Sequence, residues 1–126
     1  MSLKKHDLFI NGQWVKPESG QYVTIKNPAN GAEVAAVAKG NAQDVDKAVA
    51  LAHKAFGPWS RKTASARADY LYALEKLLVR DKEKLAAIIT SEMGKPITEA
   101  RVEVDFAAGL MRFAAENTRR IQGEII

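Results

Sequence analysis

The chain reads as a mixed α/β sequence in two stretches, strands and tight turns over residues 1–40 followed by four amphipathic helices over residues 41–126. Three observations predict this. Short strand-like runs are broken by Asn-Gly, Pro and Gly as far as Gly40, and the apolar residues beyond it recur with a helical period. The composition, 47% apolar and 27% charged over 126 residues, is that of one soluble globular domain with enough apolar material for a core.

Leu8-Phe9-Ile10 and Gln13-Trp14-Val15 flank Asn11-Gly12, a dipeptide suited to the two positive φ angles of a type I′ turn, and so predict a tight β-hairpin. Pro17-Glu18-Ser19-Gly20 breaks the pattern. Tyr22-Val23-Thr24-Ile25 forms a third strand stopped by Asn27-Pro28 and Asn30-Gly31, and Val34–Ala38 a fourth. Val45, Ala48, Val49, Ala52 and Phe56 then mark one stripe of a helix capped by Asn41, assisted by Asp44 and Asp46 at its positive end and stopped by Gly57-Pro58. A second helix starts near Thr63 with Tyr70, Leu71, Leu74, Leu77 and Leu78 inward. Asp81 is expected to cap a third, with Leu85, Ile88, Ile89 and Met93 as its stripe and Gly94 and Pro96 at its end. The fourth starts near Thr98 and carries Val102, Phe106, Leu110 and Phe113 towards Arg119-Arg120 and Gly123. After Gly123 the apolar start Glu124-Ile125-Ile126 reads as a strand cut short.

Several function classes are disfavoured by composition. No apolar run approaches the roughly 20 residues that cross a bilayer, and nothing resembling a signal core follows Lys4-Lys5, so a cytoplasmic protein without membrane partners is expected. The formal charge of +4 is spread over Lys4, Lys5, Lys16, Lys26, Lys39, Lys54 and Arg61-Lys62 rather than along one face, which reads as solvated surface and not as a nucleic-acid site. The chain has no cysteine, so disulfides, thiolate metal sites and thiol nucleophiles are excluded within it.

Polar constellations give little chemistry. Glu99 and Glu103 stand at i, i+4 and could share a metal, but Arg101 lies between them, no Glu-x-x-His follows, and a solvated charged face accounts for them better. Gly31, Gly40, Gly57 and Gly94 are isolated, so no phosphate-cradling glycine motif is present. His6, in the flexible start, and His53, beside Lys54, read as surface histidines, and Ser60, Ser65 and Ser91 lack a nucleophile turn.

The order of short words nevertheless resembles the opening of the aldehyde dehydrogenase superfamily. The words are Phe9-Ile10-Asn11-Gly12-Gln13-Trp14-Val15, Lys26-Asn27-Pro28-Ala29-Asn30-Gly31, the Asp44–Val49 helix ending in Phe56-Gly57-Pro58-Trp59, Glu92-Met93-Gly94-Lys95-Pro96, and Arg112-Phe113 through Ile126. The last of these is most similar to the succinate-semialdehyde and lactaldehyde dehydrogenase branches. The resemblance implies an α/β parent with a Rossmann-type cofactor domain, in which residues 1–40 are the amino-terminal strands and hairpin and residues 41–126 the helical part of the cofactor domain. It implies an enzyme in which a cysteine thiolate attacks an aldehyde, NAD or NADP takes the hydride, and a glutamate activates water. The nucleophile, base and nucleotide-binding glycines would lie beyond this sequence, so no catalytic or cofactor-binding residue is assigned, no cofactor is expected on the chain alone, and the chain itself is expected to be inactive. Its expected partners are the rest of its own chain and further copies in a homo-oligomer, with an aldehyde as the parent's substrate.

Carried over residue by residue, the resemblance points to a monovalent cation held by the backbone carbonyls of Ile25 and Lys26 and by Glu92. The alternative is that Glu92 merely closes the third helix. It also points to Val102 and Phe106 as substrate-tunnel residues, with core packing as the alternative. From a different class, a self-contained helical binding or scaffold module without enzymatic activity also fits the composition.

Overall fold

The computed structural model describes residues 3–121; the strand expected at Glu124-Ile125-Ile126 and the glycine at 123 lie outside them. In chain order the described elements are β1 (Lys5–His6), β2 (Leu8–Ile10), β3 (Gln13–Val15), β4 (Tyr22–Lys26), β5 (Glu33–Ala38), α1 (Ala42–Ser60), α2 (Ala64–Arg80), α3 (Lys82–Met93) and α4 (Ile97–Asn117). They fall into two compact units. The first runs through Arg61 and takes in Glu92–Gly94; the second comprises Lys62–Ser91 and the chain from Lys95. The change from strand to helix at Gly40 therefore does not coincide with the division between units, because α1 belongs with the strands.

In the first unit, β2 and β3 pair antiparallel as Leu8 with Val15, Phe9 with Trp14 and Ile10 with Gln13. Asn11 (φ 52°) and Gly12 (φ 78°) turn the hairpin with the two positive φ angles its loop chemistry favours. A separate sheet has the order β1-β5-β4, with β5 central, parallel to β1 and antiparallel to β4. Its buried residues are Ala35 and Ala36 on β5. β1 is a two-residue strand with no alternation to announce it, and it places His6 in a sheet rather than in a flexible start. The Tyr22 hydroxyl donates to Asp7 Oδ1 at 2.5 Å, which holds the phenol above its ordinary pKa, and Lys5 Nζ sits 4.8 Å from the Tyr22 ring centre.

α1 begins with a reciprocal capping box. Asn41 Oδ1 accepts from the Asp44 amide at 3.1 Å while Asp44 Oδ2 accepts from the Asn41 amide at 2.9 Å. The expected stop at Gly57-Pro58 is not where the helix ends. It runs on to Ser60 because Gly57 takes no positive φ, because a proline this late removes only one backbone donor, and because Ser60 Oγ donates to the Gly57 carbonyl at 3.0 Å.

In the second unit α2 packs on α4. Thr63 Oγ1 accepts from the Ala66 amide at 3.2 Å and opens α2 as expected. Asp81 does not cap α3 with its side chain. Its carboxylate takes two hydrogen bonds from Arg80, at 3.0 and 2.7 Å, and only its backbone carbonyl receives the Leu85 amide. The buried side chains here are small, Ala68, Ala86, Ala100, Val104, Ala108 and Ala115, with Glu75 among them. The large residues of the predicted stripes, Tyr70, Leu74, Leu77, Ile88, Met93, Val102, Phe106, Leu110 and Phe113, are instead exposed, as are Val45, Val49 and Phe56 on α1. In α4 the physical reason is clear. Ala100, Val104, Ala108 and Ala115 share one face, and at about 100° per residue the aromatic stripe falls nearly opposite. Small side chains let α2 and α4 approach closely, so this face is the one the fold buries.

Candidate functional site

The residues that the sequence singled out for cation binding all fall in the first unit, on the end of one strand, the turn after it and the end of a helix. Ile25 and Lys26 are the last two residues of β4, paired with Ala35 and Glu33, so that β5 places one extra residue, Val34, opposite the step between them. Such an irregularity breaks the ladder locally and changes how backbone groups are presented. The chain then enters a turn closed by its own asparagines. Asn27 Oδ1 accepts from the Ala29 amide at 2.9 Å and Asn30 Oδ1 from the Ala32 amide at 3.0 Å. The Asn27 carbonyl accepts from the Gly31 amide at 2.7 Å, and the Asn27 amide donates to the Ala32 carbonyl at 2.8 Å. Gly31 supplies a φ of +73°.

The third structure is the end of α3. Glu92 is exposed, and its carboxylate has no hydrogen-bond or ion-pair partner among the described residues. Gly94, with a φ of +72°, ends the helix in the left-handed conformation and lies directly on the turn: a Cβ there would stand 2.9 Å from the Ala29 nitrogen and 3.0 Å from Pro28 Cγ. The sequence marked Gly94 as a helix stop. It gave no sign that the glycine also allows two backbones to touch, because its partners at Pro28 and Ala29 are distant in the chain.

Val102 and Phe106, the tunnel candidates, lie in the second unit on the exposed face of α4, 61% and 67% exposed. Core packing is thus not their role in this chain. Two carboxylates of the same helix, Glu103 and Asp105, are paired with cations rather than gathered with Glu99 around a metal. Lys82 reaches Asp105 at 2.6 Å, Lys95 pairs with Glu103, and Arg101 pairs with Glu83 at 2.8 Å, not with acids of its own helix. No group of three or more His, Cys, Asp or Glu side chains able to hold a metal occurs among the described residues.

The strand-to-helix junction at Gly40 is where a phosphate cradle would stand, and it is already filled. The Asp44 carboxylate, 5% exposed, accepts from the amides of Asn41 and Glu18, and the Asn41 side chain takes the Asp44 amide. Lys47 pairs with Glu18 alongside; the hydrogen bond to Glu18, followed by that carboxylate's charge, raises the Lys47 pKa above its ordinary value. A carboxylate seated on the Asn41 cap amide at the start of α1 repels a second anion there.

Comparison with known proteins places these features in a context. Residues 14–126 match the model of the aldehyde dehydrogenase family. The chain is 39% identical over 125 residues to the 3-sulfolactaldehyde dehydrogenase of Pseudomonas putida, covering 99% of this chain and 26% of that protein. It is 38% identical over 117 residues to the mitochondrial succinate-semialdehyde dehydrogenase of Oryza sativa subsp. japonica, covering 93% and 22%. Among solved structures, the NAD-dependent aldehyde dehydrogenase from Sinorhizobium meliloti superposes with a TM-score of 0.92 at 34% identity, over 98% of this chain and 25% of the other. The chain thus spans about a quarter of the length of the relatives it matches.

Proposed function

The chain belongs to the aldehyde dehydrogenase family, and from that premise we propose that it serves an NAD(P)-dependent oxidation of an aldehyde to a carboxylic acid as the amino-terminal segment of the enzyme, without catalysing that reaction alone. The observation that carries this reading is the family match over residues 14–126 in a chain without a cysteine. Oxidation by a thiolate route needs a thiol, and this chain supplies none. The residues present do not fit a dinucleotide either: the strand-to-helix junction at Gly40 is occupied by Asp44. The family match leaves the reading as a self-contained binding module without an observation in its favour.

For the substrate we propose an aldehyde that carries an acidic group, because 3-sulfolactaldehyde and succinate semialdehyde, named for two relatives, both do. The enzyme is proposed to act in the cytoplasm as a homo-oligomer, with this segment packed on the rest of its chain. Supporting this, no helix among the described residues is long and apolar enough to cross a membrane, and large apolar side chains are left exposed. Val102 and Phe106 are proposed to face the substrate.

A monovalent cation fits the donor set at Ile25, Lys26 and Glu92. Two neutral carbonyls and one carboxylate are hard oxygen donors with a net charge of one, which suits a singly charged ion better than a divalent one. An ion held there would neutralise the Glu92 carboxylate. The functional proposal is tested by assaying the purified chain with NAD⁺ and NADP⁺ against succinate semialdehyde and following nicotinamide reduction. No turnover is expected; turnover that co-purifies with the 126-residue chain through a denaturing and refolding cycle overturns the proposal.

A further inference from the structure

We propose that Asn11 is a site of spontaneous covalent modification: in the folded chain the Asn11-Gly12 pair loses its side-chain amide through a succinimide, while the other Asn-Gly pair, Asn30-Gly31, is protected by its hydrogen bonds. The sequence contains just these two Asn-Gly pairs. The step needs no catalyst. The Gly12 nitrogen attacks Asn11 Cγ, a C–N bond forms, the Cγ–Nδ2 bond breaks and ammonia leaves. Water then opens the five-membered imide. Opening at the side-chain carbonyl gives aspartate, and opening at the main-chain carbonyl gives isoaspartate, in which the chain runs on through Cγ. One amide and one water are consumed, and one carboxylate and one ammonium are released.

Exposure and crowding do not separate the two pairs. Asn11 and Asn30 are both exposed. Gly12 and Gly31 have φ of +78° and +73°, and a Cβ at either meets nothing within 4 Å. Hydrogen bonding does separate them. Asn30 Oδ1 accepts from the Ala32 amide at 3.0 Å, and the Gly31 amide, the nucleophile of that pair, donates to the Asn27 carbonyl at 2.7 Å. Both bonds must break before the Gly31 nitrogen can attack Asn30 Cγ. At the first pair neither the Asn11 side chain nor the Gly12 amide has a hydrogen-bond partner among the described residues. The strands behind it form a two-stranded sheet of three residue pairs, and a ribbon of that size opens readily at its tip.

The modification also has a structural consequence. Isoaspartate lengthens the main chain by one carbon inside a turn whose two positive φ angles set the register of Phe9 opposite Trp14, so it should separate these two rings, now 5.0 Å apart between centres.

The test incubates the purified 126-residue chain at mildly alkaline pH, folded and in urea, and follows the tryptic peptides 6–26 and 27–39 by mass spectrometry, with an isoaspartyl methyltransferase reporting isoaspartate. In the folded chain Asn11 is expected to convert at least about tenfold faster than Asn30, and in urea the two rates should converge. Equal rates in the folded chain, or a faster Asn30, overturn the proposal. So does an Asn11 that stays intact when folded over the time in which it reacts in urea. Asn11→Gln, whose longer side chain closes the five-membered ring no longer, is expected to abolish conversion in peptide 6–26; conversion that persists places the reaction elsewhere and overturns the assignment. Proton NMR of the separated products should show the Phe9–Trp14 ring contact kept in Asn11→Asp, which adds the charge alone, and lost in the isoaspartate form. A contact kept in both overturns the structural consequence.

Discussion

The Arg112 guanidinium on α4 donates through Nε, at 2.9 Å, and through Nη2 to a single carboxylate oxygen of Glu75 on α2. Glu75 is 8% exposed, so without Arg112 its charge would be buried unpaired, whereas the arginine, mostly exposed, can turn to water. Removing the two partners should therefore have unequal effects. Arg112→Ala is expected to lower the urea midpoint more than Glu75→Gln, which should cost about 1 kcal/mol. Combining Arg112→Leu with Glu75→Leu should recover most of the loss. Equal effects of the two single changes in urea unfolding would show that burial of Glu75 does not matter.

Asp44 closes the capping box of α1 and also holds the loop at Glu18 through the Glu18 amide, at 3.2 and 3.3 Å. Asp44→Ala removes both roles and is expected to destabilise the first unit by about 2 kcal/mol, with Asp44→Asn intermediate because one acceptor oxygen survives. Chemical denaturation checks the order of the three proteins.

Glu83 is held below the ordinary glutamate pKa by its two-pronged hydrogen bond from Arg101 and, secondarily, by that residue's charge. A depressed carboxylate contributes stability that is present above the unfolded-state pKa and is lost as pH falls through the folded-state value. Glu83→Gln should accordingly flatten the acid limb of the stability curve while changing little at neutral pH, and added salt should shrink the difference. Thermal midpoints measured across the acid range in low and high salt provide the check.

The exposed aromatic stripe of α4, with Phe106 and Phe113 67% and 65% exposed, is expected to drive the isolated chain to self-associate. Sedimentation velocity should show larger species as concentration rises, and Phe106→Glu with Phe113→Lys should shift them towards monomer without loss of helical circular dichroism. A parent chain that stays monomeric over that range would contradict this.

Much of the local structure was legible in the residues themselves. Asn11-Gly12 announced the hairpin through its two positive φ angles, Asn41 and Thr63 announced helix starts through a side-chain oxygen, and the stripes located all four helices. The same local reasoning failed where a contact with a distant partner decided the outcome. β1 exists only because Ala36 and Val37 on β5 pair with it. The Asp81 carboxylate turns back to Arg80 instead of capping α3, and Arg101 prefers Glu83 of another helix to the acids beside it. At the candidate site the residues of the Asn27–Gly31 and Glu92–Pro96 words could be named in advance, but not that Gly94 touches Ala29, since a single sequence carries no signal of that approach.

Hydrophobic period reports that a helix has an apolar face, and for this chain it located the helices. It does not report which face is covered. α4 carries two, one of small residues and one of large, and the fold buries Ala100, Val104 and Ala108 while leaving Val102, Phe106 and Phe113 in solvent. Helix packing rewards close approach and complementary shape as much as apolar area, and both depend on where the neighbouring helix lies.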